Sequence, residues 1–362
     1  MARIDSFLKL GLAQGCSDVH LAVGVPPMIR LNGELMPIKF RDLAAREMER
    51  YVTEILTTAQ AKHFNQNQDL DFSYVSEDGG RFRVNIFHKQ TGVGATFRHI
   101  PTKVPSMESL NLPSVMYKFC DLHQGMVLIT GSTGTGKSTT LAAMIDHLNN
   151  TRDLNIISLE DPIEFVHHSK RAQIVQRELG THVPSFAEGV RAALREDPDV
   201  ILVGELRDAD TISMAMTAAE TGHLVLGTLH TTGAVKTIDR LIDALPAAQA
   251  AQTKSFLSHS LHAVVTQNLV KTPDGRGRRA VHEILVMTRA IAKLITTDQT
   301  HQISTQLQTG KDLGMQTMDT ALLEAIKDKR IDPGDACRYA TEIKKFERFV
   351  TDSTILRTLE VA

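Results

Sequence analysis

The first hundred residues show short runs in which apolar and polar positions alternate, the pattern of half-buried strands. Val19 to Val23 alternates in this way, and the runs at 28–31 and 35–38 flank Asn32-Gly33, the dipeptide of a two-residue hairpin turn. Further strands are predicted at 70–75, 82–88 and 93–100, and helices at 4–13 and about 43–64. The pattern predicts a small α/β domain over residues 1–100.

The pattern changes after Pro101, Pro105 and Pro113, and we predict a linker at 101–122. Beyond it, fully apolar runs at 126–130, 156–159, 200–203 and 224–229 alternate with helical patterns. Apolar strands alternating with helices predict a parallel sheet that is covered on both faces. We therefore expect an α/β core over 123–288 and a helical region over 289–362.

Composition narrows the classes of function. The 362 residues include 40 basic and 42 acidic side chains, a net charge of -2 that provides no field for nucleic acid, so no nucleic-acid partner is expected. No apolar run approaches the roughly 20 residues of a membrane helix, and the start lacks the pattern of a secretory signal. The three cysteines are far apart and are expected to be reduced thiols, as in a cytoplasmic protein.

The clearest chemical motif follows the strand ending at Thr130. Residues 131–138 read GSTGTGKS, which matches GxxxxGK[ST] between a predicted strand and a predicted helix. The backbone N–H groups of such a loop and the positive end of the helix bind phosphate. Lys137 is expected to contact the β and γ phosphates of ATP, and the Ser138 hydroxyl to ligate Mg²⁺. The nucleotide-binding residues expected are Ser132, Thr133, Gly134, Thr135, Gly136, Lys137, Ser138 and Thr139.

Acidic residues follow two of the apolar strands, where the ligand sites of parallel sheets lie. Glu160, Asp161 and Glu164 follow the strand at 156–159, and Gly204-Glu205 follows the strand at 200–203. Phosphoryl transfer to water needs carboxylates to orient the water and the metal shell. A capping or turn role stays equally open for Glu160 and Asp161. The glycine before Glu205 favours close approach of a ligand.

His230 ends the apolar strand at 224–229, where its ring can hydrogen-bond a γ-phosphate. Taken alone, a histidine in this position is more often structural.

Arginines are concentrated on one predicted hairpin. Arg81 and Arg83 share one face of its first strand, and an odd-sum register near 181 places Arg83 opposite Arg98 on the second. Facing like charges are destabilising and need an anion. That anion is either Asp69 or Asp71 on a neighbouring strand, or the γ-phosphate of ATP bound to an adjacent subunit. The pattern alone favours neither.

Together these motifs closely resemble the secretion ATPase superfamily, and most of all its PilT branch, the type IV pilus retraction motors. The resemblance rests on the following segments: GSTGTGKSTT at 131–140, LEDPIEFVH at 159–167, REDPDVILVGELRD at 195–208, TAAETGHLVLGTLHTT at 217–232, SDVHL at 17–21, PPMIRLNG at 26–33, GGRFRVNIF at 79–87, FRHIP at 97–101 and GMQTMD at 314–319.

The resemblance implies a PAS-like N-terminal domain, a RecA-like P-loop ATPase domain and a homohexamer with ATP at the subunit interfaces. It implies that Glu164 is the general base, that Glu205 is the Walker B carboxylate, and that Glu160 belongs to the acidic motif near the metal. His223 and His230 match the family's histidine motif. Arg81, Arg83 and Arg98 match arginines that act across the interface.

The expected function is an ATP-driven pilus retraction motor, peripherally associated with the inner membrane, that acts on a platform protein and indirectly on pilin. One motif departs from the family: Ala290 to Thr297 reads AIAKLITT where retraction motors carry AIRNLIRE-like residues. An accessory or paralogous retraction ATPase is therefore an alternative, with a paralogous partner motor. A nucleotide-gated scaffold that regulates a partner motor is a further candidate, and a nucleic-acid translocase is less favoured.

Overall fold

The computed structural model describes residues 2–31, 34–100 and 103–350, and these divide into two units. The first unit extends to Lys103 and also includes Glu164–Val166. The second contains Val104–Ile163 and the chain from His167 onwards. The predicted Asn32-Gly33 turn, Pro101 and the last twelve residues of the predicted helical region lie outside the described residues.

The first unit is built on one antiparallel sheet in the order β3-β2-β1-β6-β5-β4. Its buried face contains Val19, Phe82, Val84 and Phe97, which pack with the helices as the alternating pattern predicts. Its elements are α1 Asp5–Ala13, β1 Asp18–Ala22, β2 Met28–Leu31, β3 Glu34–Pro37, α2 Ala45–Ile55, α3 Thr58–Asn67, β4 Asp69–Val75, β5 Arg81–Lys89 and β6 Gly92–Ile100.

One helix prediction in this unit was wrong. The single helix expected at about 43–64 is two helices, α2 and α3, separated at Leu56 and Thr57. Thr57 caps α3: its hydroxyl accepts from the Gln60 N–H at 3.3 Å, and the Gln60 side chain accepts from the Thr57 N–H at 2.9 Å. This reciprocal pair satisfies N–H groups that a new helix start would leave unpaired, so the chain begins a second helix here.

The second unit contains a seven-stranded sheet in the order β13-β12-β7-β11-β10-β8-β9. All neighbouring strands are parallel except the β12–β13 pair. Its elements are α4 Val115–Cys120, β7 Gly125–Thr130, α5 Lys137–Thr151, β8 Asn155–Glu160, β9 Gln173–Glu178, α6 Phe186–Ala193, β10 Val200–Val203, α7 Ala209–Glu220, β11 Leu224–Leu229, α8 Ala234–Ala244, α9 Ala250–Ser260, β12 Leu261–Lys271, β13 Arg278–Val286, α10 Arg289–Thr296, α11 Ile303–Thr309, α12 Met318–Lys327 and α13 Pro333–Ala336.

The four predicted core strands are all present as β7, β8, β10 and β11, with apolar clusters on both faces of the sheet. Three strands were not predicted. β9 contains polar side chains among apolar ones, and β12 and β13 interrupt their apolar runs with Gln267, His282 and Glu283. β12 and β13 form a hairpin that turns these polar side chains towards the protein. A search for apolar runs does not detect strands of this kind.

The segment expected as a linker differs from the expectation. From Val104 onwards it belongs to the second unit, where Met107, Leu112, Met116 and Phe119 are buried in one of the two apolar clusters of the sheet. Its prolines limit helix formation without preventing its apolar side chains from packing.

The three cysteines are thiols inside the protein. Cys16, Cys120 and Cys337 are free and buried. No helix in the described part of the chain combines the length and apolar character needed to cross a bilayer.

Stability should fall as the pH decreases from 7.5 to 5.5. Burial lowers the pKa of five histidines, among them His167 and His282 to about 4. An unfolded histidine has a pKa of about 6.5, so below that pH the unfolded chain binds more protons. For His282 this amounts to about 1 kcal/mol between the two pH values. Thermal unfolding of the full chain at the two pH values measures this change in stability.

The matched variants are His167→Asn and the same change at His301, which is exposed. The first should flatten the dependence of the unfolding temperature on pH, and the second should leave it unchanged. An unfolding temperature that stays constant or rises on acidification would contradict the prediction.

Candidate functional site

The loop between β7 and α5 has the backbone shape of a phosphate-binding loop. Gly131, Gly134 and Gly136 have φ values of 139°, 80° and 85°. Residues that carry a side chain rarely adopt such positive values. A Cβ on Gly131 would also lie 2.4 Å from the backbone oxygen of Gln267. These glycines therefore hold the curled loop at the start of a 15-residue helix, whose unpaired N–H groups attract anions.

Lys137 is buried inside this loop. Its ammonium group donates to the backbone oxygens of Gly131 at 2.7 Å and Ser132 at 3.0 Å. Thr135 also donates from its hydroxyl to Ser132 O, at 2.9 Å. Ser138, the next residue of the helix, is exposed. The fold thus places a fixed cation beside the loop and an accessible hydroxyl at the first turn of α5.

Two of the predicted residues meet at the carboxyl edge of the sheet. Because β10 lies between β8 and β11 in parallel register, the residues that follow these strands emerge at one edge. Glu205 Oε1 lies 3.0 Å from His230 Nε2, and Glu205 Oε2 lies 2.8 Å from Arg207 Nε. A second nitrogen of Arg207 lies 3.5 Å from Asp161 Oδ2. His230 and Asp161 are therefore joined through Glu205 and Arg207.

Arg207 was missed at the sequence level. It occurs two residues after Glu205 in VGELRD, and this spacing was the available signal, since the chain extends past the strand end there. Its pairing with Glu205 fixes the carboxylate and partly neutralises it.

Gly204 has a different role from the one expected. A Cβ at this position would lie 3.0 Å from Leu159 O and 3.3 Å from the Cα of Glu160. The close neighbour is therefore the end of strand β8, and the glycine allows two strands, rather than a ligand, to approach.

The remaining acidic residues, Glu160 and Glu164, lie in different environments. Glu160 Oε1 accepts hydrogen bonds from Ser158 Oγ at 2.7 Å and Gln176 Nε2 at 3.0 Å, which fixes it at the end of β8. Glu164 is exposed and belongs to the first unit rather than to the second. Glu164 is thus not among the residues that the second unit brings together.

His223 and His230, which match one family motif, lie at opposite ends of β11. His223 precedes the strand and its Nδ1 lies 2.9 Å from Ala218 O, at the end of α7. A strand of six residues is about 20 Å long. The two rings therefore do not share a site within one chain.

The predicted facing arginines were confirmed by the register. Arg83 lies opposite Arg98 in the β5–β6 pair. The same row continues through Asp18 to Arg30, since Asp18 is paired with Arg98 on one side and Arg30 on the other. The row ends at Ser73 on β4 and at Leu35 on β3.

The anion that the arginines require is mainly Asp18, which was not predicted. Asp18 Oδ1 lies 2.9 Å from Arg98 Nε, and its other oxygen lies 4.0 Å from Arg30 Nε. Burial opposes ionisation of Asp18, but hydrogen bonds from Ser17 and Arg98 outweigh it and lower its pKa. Asp71, one of the two expected partners, lies 3.9 Å from Arg83 Nε, whereas Asp69 accepts from Asn85.

Much of the guanidinium surface stays accessible despite this pairing. The Arg98 side chain is 68% exposed although its Nε is bound by Asp18. Arg81 differs, because its Nε is buried and lacks a hydrogen-bond partner within the described residues. One row of the first unit therefore presents fixed, exposed guanidinium groups on a single face.

The oxygen donors of the second unit fit Mg²⁺ bound together with a nucleotide. Within residues 2–31, 34–100 and 103–350, no group of three His, Cys, Asp or Glu side chains is placed to hold a metal. Mg²⁺ usually binds through one or two protein oxygens together with phosphate. The exposed Ser138 hydroxyl and the Glu205 carboxylate are donors of this kind. Glu160 is more engaged, as its Oε1 already accepts two hydrogen bonds.

Comparison with known proteins identifies relatives over nearly the whole chain. Residues 14–331 match the family described as type II/IV secretion system protein. The chain is 49% identical over 319 residues to the type IV pilus retraction ATPase PilT of Pseudomonas aeruginosa, covering 88% of this chain and 92% of the relative. It is 38% identical over 336 residues to the type IV pilus ATPase PilU of that organism, covering 93% and 88%.

A solved structure shows the same fold. The crystal structure of the pilus retraction motor PilT with bound ADP aligns with a TM-score of 0.89 and 38% identity. The alignment covers 96% of this chain and 99% of that one. The expected α/β fold, with an N-terminal domain and an ATPase domain, is confirmed.

Replacing Asp18 with Ala should loosen the β1–β6 pair. The change leaves Arg98 and Arg30 without their buried carboxylate, at a cost of about 2 kcal/mol. Hydrogen–deuterium exchange of β1 and β6 in the full-length protein should then be about 30-fold faster.

Asp71→Ala is the matched control. This carboxylate is 60% exposed and 3.9 Å from its arginine, so exchange should change by less than about 3-fold. Equal effects of the two variants would show that Asp18 is not the principal anion of the row.

Proposed function

Because the chain belongs to the type II/IV secretion system protein family and is a PilT-type ATPase, we propose that it is a ring motor that powers type IV pilus retraction. The observation that carries this proposal is the division of chemistry between two units. One holds the phosphate-binding loop with the Glu205–His230 pair, and the other holds the row of exposed arginines.

Lys137 and the backbone N–H groups of residues 132–139 bind the phosphates of ATP in this proposal, together with the hydroxyl groups of the loop. Mg²⁺ supplies charge neutralisation of the phosphates when bound, with Ser138, Glu205 and Glu160 as its nearby oxygen donors. Glu205 keeps His230 in place by the 3.0 Å contact between them. His230, whose side chain is 45% exposed, then hydrogen-bonds the terminal phosphate and responds to its loss.

Glu164 is the general base that orients the attacking water. Its exposed carboxylate is free of the hydrogen bonds that fix Glu160 in β8. A water-orienting carboxylate must be available to solvent before the site closes, which favours Glu164 over Glu160.

The arginines act on the ATP of a neighbouring copy. Arg83 and Arg98 face each other across two strands, and an arrangement of like charges is relieved further by a phosphate. Asp18 binds the Nε of Arg98, which leaves the terminal nitrogens for the anion. Arg81 is the third arginine of this group. A homohexamer closes such head-to-tail contacts into a ring.

Hydrolysis then changes the arrangement of the two units. We place the domains at 1–100 and 123–288 with a helical region at 289–362, and assign 104–122 to the second domain. The ring moves an inner-membrane platform protein and so withdraws pilin, working from the cytoplasmic side.

Deletion of the gene in the source cell should leave excess pili that do not retract. Cells without pili would contradict the proposal.

A principal motor is favoured over an accessory one. Identity is 49% with the PilT relative and 38% with the PilU relative. Against this, helix α10 contains AIAKLIT where a retraction-motor motif is expected. The accessory alternative, with a paralogous ATPase as partner, predicts normal retraction in the deletion strain under low load.

A nucleotide-gated scaffold is the alternative from another class. Its ATP turnover would be negligible, so phosphate release by the purified full-length chain separates it from a motor.

Glu164→Gln should bind ATP and fail to hydrolyse it. Loss of a general base typically lowers turnover by about 100-fold or more, while the phosphate-binding loop is unaltered. Phosphate release gives the turnover, and calorimetric titration with ADP gives the binding. Glu220→Gln, an exposed glutamate at the end of α7, is the control and should retain full turnover. Normal turnover by Glu164→Gln would remove Glu164 from this role.

Arg98→Ala subunits mixed with wild-type subunits should lower activity more than dilution does. In a ring where each arginine serves the next site, one altered subunit disables its neighbour, so a 1:1 mixture should retain well under half of the wild-type ATPase rate. Arg50→Ala, an exposed arginine of α2, should not do so. A rate that follows simple dilution would show that Arg98 does not act between subunits.

A further inference from the structure

The buried amide of Gln267 makes contacts that the ATPase motifs do not explain. Gln267 lies in β12 and is 1% exposed. Its Nε2 donates to the backbone oxygen of Thr135 at 2.6 Å, inside the phosphate-binding loop. Its Oε1 accepts from the Thr140 hydroxyl at 2.7 Å and lies 3.0 Å from His282 Nε2. One side chain therefore joins the loop, helix α5 and strand β13.

The network fixes the direction of this amide. A flipped amide would place its oxygen against the oxygen of Thr135, two acceptors at hydrogen-bond distance, so the nitrogen must face the loop. The oxygen then receives the Thr140 hydroxyl and the Nε2–H of His282. Burial keeps His282 neutral by lowering its pKa to about 4, which is compatible with one N–H donor on its ring.

The backbone of His282 makes a further hydrogen bond. The Gln316 side chain donates to His282 O at 2.7 Å, and Gln316 forms an isolated bridge with Ile284. The amide of Gln267 is therefore paired with a buried ring whose own backbone is hydrogen-bonded.

The contact with Thr135 determines where the next N–H group of the loop points. The carbonyl of Thr135 and the N–H of Gly136 belong to one planar trans peptide, so they point in opposite directions. Because Gln267 holds the carbonyl towards the protein interior, the Gly136 N–H is directed away from the interior, as phosphate binding requires. A Cβ on Gly136 would lie 3.0 Å from Gln267 Nε2, so the amide also supports the loop by direct contact.

We propose that Gln267 is a positioning residue for the nucleotide, which holds the Thr135–Gly136 peptide in the orientation that binds phosphate. It acts through the loop backbone and does not touch the nucleotide. The inference depends on the ATPase activity of the chain and is independent of the ring, the arginines and the pilus.

The test is Gln267→Met in the full-length protein, a change that keeps the approximate volume and removes both polar groups. Affinity for ADP in the presence of magnesium should fall about 10-fold by calorimetric titration. The KM for ATP should rise by a similar factor, while kcat should change less than about 3-fold, because the catalytic carboxylates are untouched.

Thr266→Val is the matched control. Thr266 is the neighbouring buried residue of β12, and its hydroxyl lies 2.9 Å from that of Thr130 rather than on the loop. It should lower the unfolding temperature without changing ADP affinity by more than about 2-fold. If Gln267→Met also lowered only the unfolding temperature, with KM and ADP affinity unchanged, the proposal would be overturned.

A second variant covers the case in which Gln267→Met does not fold. Thr140→Val keeps the shape of the side chain and removes one hydrogen bond that orients the Gln267 amide. ADP affinity should then fall about 3-fold, and unchanged affinity in this variant would equally contradict a positioning role.

Discussion

The parallel register of β7, β11, β10 and β8 is the constraint on which the candidate site depends. Because these strands run in one direction and are buried on both faces, everything that follows them emerges at one edge of the sheet. That edge receives the phosphate-binding loop after β7, Glu205 after β10 and His230 after β11. The contacts that join Glu205 to His230 and Arg207 follow from this arrangement, as residues 25 positions apart are brought within 3.0 Å.

Charge is the second constraint, and each unit answers it differently. In the second unit a single ammonium group, that of Lys137, is held by backbone oxygens beside the loop. In the first unit several guanidinium groups share one sheet face, and repulsion among them is relieved by one buried aspartate, Asp18. Such an arrangement pairs the Nε of Arg98 while its outer nitrogens remain accessible, as the proposed contact with a phosphate requires.

Buried polar side chains connect the motifs to the rest of the fold. Gln267 joins the phosphate-binding loop to β13, and the Glu283 carboxylate accepts from the Ala234 N–H at 2.8 Å, at the start of the helix that follows His230. Burial raises the pKa of Glu283. The hairpin of β12 and β13 therefore supports two parts of the site from behind, and its polar residues are buried because each has a partner there.

The sequence by itself determined the local elements and the chemistry of the motifs. Alternation and apolar runs predicted two sheets, the GxxxxGKS motif predicted the loop, and the odd-sum register predicted that Arg83 faces Arg98. These features depend on neighbouring residues along the chain or on a single strand pair. Only the tertiary structure decided which distant residues meet: Asp18 with Arg98, Glu205 with His230, and Gln267 with Thr135. Such contacts join positions that are far apart in sequence or differ in strand and loop, and they depend on how sheets and helices pack, which periodicity along one chain does not encode.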